Sequence, residues 1–253
     1  MKPVCLIVGA GAGIGGTVGK RFARAGYHSA LCRRSNEDGL KELVDDIKAE
    51  AGEASGYLMN AVEPDVIEDR IAALEADVGP IEVVVFNLGA QIGNRPLEAT
   101  TLKAFEVGWR MATFALFRTA SVVCPLMAKR GKGTLLVTSA TAAVRGNAGQ
   151  HSHAAAMGGR RMLCQTLSHE LGPRGVHVCH FVVDGAVDAP DTLGRMLGAE
   201  RFAQLKAKLG DGMLQPAKVA ETYAHIHSQH RSVWTHELDL RPHSETAWFN
   251  SSL

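Results

Sequence analysis

The glycine cluster Gly9-Ala10-Gly11-Ala12-Gly13-Ile14-Gly15-Gly16, set between a short β-rich apolar run and a segment of helical period, constrains the fold more than any other feature of the sequence. A strand that ends in such a turn can reverse tightly. It can also bring its backbone close to an anion, which the N–H groups at the start of the following helix then meet. Two registers fit. Gly11, Gly13 and Gly16 follow G-x-G-x-x-G, whereas Gly9, Gly13 and Gly15 follow G-x-x-x-G-x-G; the second is preferred because Gly9 comes directly after the strand.

The rest of the chain repeats that first unit. Short apolar runs at 3–8, 28–32, 54–60, 83–88, 134–139, 176–183 and 234–240 alternate with helical periodicity at 14–25, 37–51, 64–78, 102–129, 149–171 and 216–228. Strict alternation of this kind predicts an α/β fold of the Rossmann type, a doubly wound parallel sheet of about seven strands with helices on both faces. The 253 residues carry no composition break, repeat or low-complexity tract, so residues 1–253 are expected to form a single dinucleotide-binding domain. Residues 184–211 are the least regular stretch, with Asp188-Ala189-Pro190-Asp191 as a helix start; following a late strand, they are the candidate substrate lid.

Charge and cysteine usage narrow the partners. With 27 basic and 26 acidic residues there is no electrostatic footprint for nucleic acid or an anionic membrane. The apolar stretches are broken by charge or glycine short of the roughly 20 residues that span a bilayer, and no membrane partner is expected. Five scattered cysteines and a start that runs from Met1 straight into a strand predict a reduced, cytoplasmic protein. The eleven histidines include no i, i+4 pair, and no metal site is expected.

Cofactor choice is read after the second strand. An acid there bonds the adenosine ribose of NAD, and arginine accommodates the 2′-phosphate of NADP. This chain has Arg33 and Arg34, planar forks suited to phosphate, which argues for NADP(H) in preference to NAD(H).

Taken together, these motifs resemble the short-chain dehydrogenase/reductase family over nearly the whole chain. Val8-Gly9 and Gly13-Ile14-Gly15 stand where that family has Thr-Gly-x-x-x-Gly-Ile-Gly, and Asn60-Ala61 resembles its Asp-Val that contacts adenine. Phe86-Asn87-Leu88-Gly89 resembles its Asn-Asn-Ala-Gly, so Asn87 and Gly89 are expected to line the cofactor. Asp184-Gly185 takes the place of its Pro-Gly beside the nicotinamide.

The resemblance implies reduction or oxidation of a carbonyl/alcohol pair by Asn, Ser, Tyr and Lys, the last two as Tyr-x-x-x-Lys on one helix face, where lysine lowers the phenol pKa. That pattern fails here. The residues four beyond Tyr27, Tyr57 and Tyr223 are Leu31, Ala61 and His227. Matching the segment Glu170-Leu171-Gly172-Pro173-Arg174-Gly175-Val176 to the family puts His153 at the tyrosine position, Met157 at the lysine, Ala140 at the serine and Ala112 at the asparagine. Three readings stay open. In one, an oxidoreductase has a rebuilt active site, with His153 as proton donor and Ser139 or Thr141 orienting the substrate. In another, a dinucleotide-binding sensor or assembly subunit has lost turnover; in the last, a non-redox enzyme keeps a vestigial cofactor site. Arg160 and Arg161, one turn beyond Met157, could restore a positive charge near the ribose, but read more readily as a surface or interface pair. The family forms dimers and tetramers through its two long helices. Here the second carries Ala154, Ala155, Ala156, Gly158 and Gly159, small enough for close approach, so a homodimer or homotetramer is expected.

Overall fold

A computed structural model describes residues 1–89 and 93–250. Seven strands, β1 (Val4–Val8), β2 (His28–Arg33), β3 (Glu53–Leu58), β4 (Ile81–Phe86), β5 (Gly133–Ala140), β6 (Val176–Val183) and β7 (Glu237–Leu240), form one parallel sheet in the order β3-β2-β1-β4-β5-β6-β7. The order reverses between β1 and β4, where Asn87 N–H still reaches the Val8 carbonyl at 2.8 Å, so a crevice opens at the carboxyl ends of these two strands.

The central strands read as unbroken apolar runs because both faces are covered. Along β1, Val4, Leu6 and Val8 enter one core layer and Cys5 and Ile7 the other. Each such side chain contributes about 1.5–3 kcal/mol on burial. One layer is closed by α1 (Ile14–Arg24), α2 (Glu37–Ala49) and α9 (Pro216–Ser228). The other is closed by α3 (Val66–Asp77), α5 (Ala115–Arg130) and α6 (His151–Leu171). Helix α2 starts where the Asn36 side chain accepts the Gly39 N–H, and Glu37 and Asp38 in its first turn suit the helix dipole.

The helix expected over 102–129 comprises α4 (Leu102–Trp109), a π turn (Arg110–Phe114) and α5. Contrary to the reading that no apolar stretch is long enough, this 29-residue run could cross a membrane by length and composition alone. Part of the hydropathy comes from a core-facing stripe, in which Leu116, Ala120, Val123, Cys124 and Met127 sit against the sheet, and part from Phe105, Trp109 and Phe117, which are exposed. The segment after β6 is also more regular than expected. It forms a π turn (Pro190–Gly194), a short α7 (Arg195–Leu197) and α8 (Ala199–Leu209). Helix α8 escaped the sequence reading because Phe202 is its only buried residue, so its apolar stripe is too thin to register.

Candidate functional site

The glycine turn is built by two close approaches. Gly9 takes φ +104°, a conformation that side chains resist, and its N–H and that of Ala10 both donate to the Cys32 carbonyl at 2.9 and 2.8 Å. Gly15 lies so near the Gly9 carbonyl and the Asn87 amide that a Cβ there would collide with both. The Asn87 Nδ2 donates to the Gly9 carbonyl at 3.0 Å, locking the ends of β1 and β4 together across the crevice. A Cβ on Gly13 would meet Ala189 and Thr192 of the segment after β6 rather than open space, and Ile14 turns into the core.

A cleft of about 300 Å³ runs from this turn across the sheet edge. Gly9, Arg33, Arg34, Asn60, Ala61, Asn87 and Gly89 line it, with Gly9 and Asn87 in direct contact. Arg33 is half-buried, and burial together with the nearby Arg195 holds its pKa down, while Asp191 opposes the shift. Arg34 is exposed. Asn60 is held by a 2.8 Å bond from its Nδ2 to Glu63 Oε1. The residues present fit a dinucleotide: glycines where a Cβ would fill the turn, with two cations and two side-chain amides lining the same cleft.

Gly89 also borders a second cleft of about 560 Å³. Gly185, Val187, Leu193, Met196, Leu197 and Leu205 line it, and the hydroxyl of Thr192 is the polar exception among the lining side chains. Two carboxylates that flank its lining are paired. Asp188 bonds Lys206 at 2.8 Å and Gln215 at 3.2 Å. Asp184 bonds Arg241 Nε at 2.7 Å and accepts the Trp248 N–H at 3.0 Å. This C-terminal clasp, which also seats Pro242 against Gly185, is a feature the sequence reading missed. An acid where the family has proline was its one signal.

The candidate proton-handling residues lie at the end of β5, in the turn that follows it and at the start of α6. Ser139 is buried with its Oγ 3.5 Å from Met157 Sδ, and Thr141 opens the 3₁₀ turn Thr141–Ala143. His153 is buried in the first turn of α6, where with Arg95, Thr100 and Gln150 it lines a small recess separate from both clefts. Met157 packs with Ala112, Ala142 and Ala156 in an apolar cluster. Among the described residues no group of three His, Cys, Asp or Glu converges on a point.

Arg160 overturns the expectation of a surface pair. It is 1% exposed, because it shares the inward face of α6 with Ala156, Met157 and Cys164. Its Nε donates to the Ala112 carbonyl at 3.1 Å, Nη1 to Thr138 at 2.5 Å and Nη2 to Leu88 at 2.8 Å. The guanidinium lies 5.1 Å over the Phe86 ring. Burial lowers its pKa to about 10, which leaves it charged at neutrality. Arg161, half-buried, instead forks onto Glu237 with two bonds of 2.7 Å.

Sheet order, crevice and glycine turn define a nucleotide-binding Rossmann protein. Comparison with known proteins narrows the class. The family model for short chain dehydrogenases matches residues 3–193, and the chain belongs to that family. Its relatives include the 3-oxoacyl-[acyl-carrier-protein] reductase of Thermotoga maritima, 26% identical over 92% of this chain and 93% of that one. Gluconate 5-dehydrogenase of Gluconobacter oxydans is 28% identical over 68% of this chain and 67% of that one. A short-chain dehydrogenase structure from Rhodopseudomonas palustris superimposes with TM-score 0.80 at 31% identity, covering 95% of this chain and 99% of that one.

Proposed function

We propose that the protein is an NADP(H)-dependent oxidoreductase acting on a carbonyl/alcohol pair, with a rebuilt proton-transfer site. The observation that carries the cofactor choice is that Arg33 and Arg34, at the end of β2, both line this cleft; arginine after the second strand accommodates a 2′-phosphate. Gly9, Gly13 and Gly15 shape the turn for the pyrophosphate, with Ile14 anchoring the helix start beneath it. Asn60 and Ala61 flank the adenine, while Asn87, Gly89 and Gly185 border the nicotinamide end. When bound, NADPH supplies a hydride. The chain has to orient the carbonyl and deliver a proton, and His153 is the candidate donor, with Ser139 or Thr141 holding the substrate oxygen. Residues 184–211 act as the lid. Their apolar cleft suits an apolar substrate better than a polyol, which would need more hydrogen-bonding side chains than the one Thr192 hydroxyl of this lining.

Calorimetric titration tests the cofactor reading. Replacing Arg33 and Arg34 by Ala is expected to weaken NADPH more than NADH, by about 1.5–3 kcal/mol for each charge-assisted bond lost. Equal weakening would remove the case for NADP(H). A panel of apolar ketones followed at the cofactor absorbance band then separates an active enzyme from a binding protein that does not turn over.

A further inference from the structure

The site has lost the lysine that its family pattern places on α6, and Met157 stands there in an apolar cluster. One turn further along the same face a different cation is buried. The three carbonyls that Arg160 holds belong to three different walls of the site. Leu88 lies in the turn after β4, between Asn87 and Gly89; Thr138 precedes Ser139 on β5; Ala112 lies in the π turn between α4 and α5. A π turn breaks the regular hydrogen-bond ladder, and here the Ala112 carbonyl faces α6 and takes the Nε proton. Thr113, next along, bonds the Ala156 carbonyl at 2.8 Å and packs on Gly159, so this close approach is built into both helices.

Among the described residues no carboxylate pairs with Arg160. Its hydrogen-bond partners are backbone carbonyls, and Glu237, the acid that α6 meets through Arg161, is engaged by Arg161 and His180. An uncompensated buried cation is costly, and an apolar side chain would fill the same space more cheaply. Charges retained at such cost cluster at functional sites. Gly89 borders both clefts. A dinucleotide lying along the first cleft with its reactive ring facing the second must therefore pass Gly89, one residue from the carbonyl that Arg160 grips. On the reading above, this end of the crevice holds the nicotinamide.

We propose that Arg160 is the positioning residue of this site: it fixes the three walls and supplies, from beneath the nicotinamide end, the fixed positive charge that Met157 cannot. A positive charge there opposes the oxidised, cationic ring and leaves the reduced, neutral ring unaffected. It therefore biases the site toward the reduced cofactor, and toward reduction of a carbonyl whose oxygen gains negative charge.

Binding alone tests this. The ratio of the NADP⁺ to the NADPH dissociation constant is measured by calorimetry for the wild type, R160K, R160Q and R160M, with thermal melting to check each fold. R160K keeps the charge and R160Q keeps a donor without it. The expected result is a ratio near the wild-type value in R160K and a fall of roughly three- to tenfold in R160Q and R160M, the size of effect a charge exerts through a partly solvated interior. A role confined to holding the walls would weaken both forms alike and leave the ratio unchanged, and that outcome overturns the proposal. So does a ratio that falls as far in R160K as in R160Q, or loss of folding in both neutral variants. A wild type that binds neither form overturns the cofactor reading itself, and this inference with it.

Discussion

Matched by sequence, Met157 and His153 fall where the family pattern has a lysine and its tyrosine, and neither side chain has the chemistry of the residue it would replace. A thioether holds no proton and no charge, so Met157 serves as packing against Ser139. An imidazole can pass a proton, and His153 sits in the first turn of α6, on the same face as Arg160. If His153 is the donor, His153→Phe should lower the rate of carbonyl reduction by about 10²–10⁴, the usual loss for a general acid. NADPH affinity should remain within a few-fold, since the ring lies in a recess apart from the dinucleotide cleft. Stopped-flow single turnovers and titration on the same preparation separate the two effects. A variant that reduces at the wild-type rate would send the proton through Ser139, Thr141 or water.

At the scale of elements, the junction of β6 and β7 shows how the sheet edge is closed. His180 is fully buried on β6, its Nδ1 2.9 Å from the Glu237 carboxylate of β7, and Arg161 of α6 forks onto the same carboxylate. Burial lowers the His180 pKa to about 4, more than the Glu237 carboxylate raises it. The imidazole is therefore neutral in the fold and protonates readily in the unfolded chain. Its contribution is complete above pH about 6.5 and is lost progressively as the pH falls toward 4, by roughly 3 kcal/mol in all. Urea unfolding between pH 7 and pH 4 should show that limb, and His180→Asn should flatten it. A limb that survives the substitution would assign it to other groups. The strands and helices themselves were legible in the sequence, because short unbroken apolar runs such as β1 and helical stripes such as Leu40, Leu43, Val44 and Ile47 write their geometry into the order of residues. The glycine turn was legible for a related reason, since Gly9 and Gly15 sit where backbone closes on backbone and a Cβ has no room. The buried state of Arg160, the pairing of Asp184 with Arg241 and the thin-striped α8 were not, because each depends on which distant element arrives to cover a polar group. Periodicity does not encode that.

Over the whole molecule, the two long helices leave an apolar face turned outward. Phe105, Trp109 and Phe117 are 42%, 42% and 52% exposed along α4 and α5, and Met162 is 57% exposed on α6. The small residues of α6 divide between two tasks. Ala156 is buried in the core and Gly159 admits Thr113, so these two serve packing within the chain. Ala155 faces solvent, and a Cβ on Gly158 would meet nothing within 4 Å, which leaves room for another helix to approach. Aromatic side chains exposed along adjacent helices mark an association surface, and closed symmetry favours a self-complementary pairing of like faces. We therefore expect a homo-oligomer built on α5 and α6. Phe117→Arg would place a charge at the centre of that face while leaving the inward stripe of α5 intact, so the variant should fold with a melting temperature close to wild type at a concentration where neither associates. Light scattering coupled to size exclusion should then show the wild type at twice or four times the 27.0 kDa chain mass and the variant shifted to a smaller species. A wild type that elutes at the mass of one chain at tens of micromolar would leave these aromatics unassigned and refute assembly through this face. A variant that keeps the wild-type mass would move the interface elsewhere on the molecule.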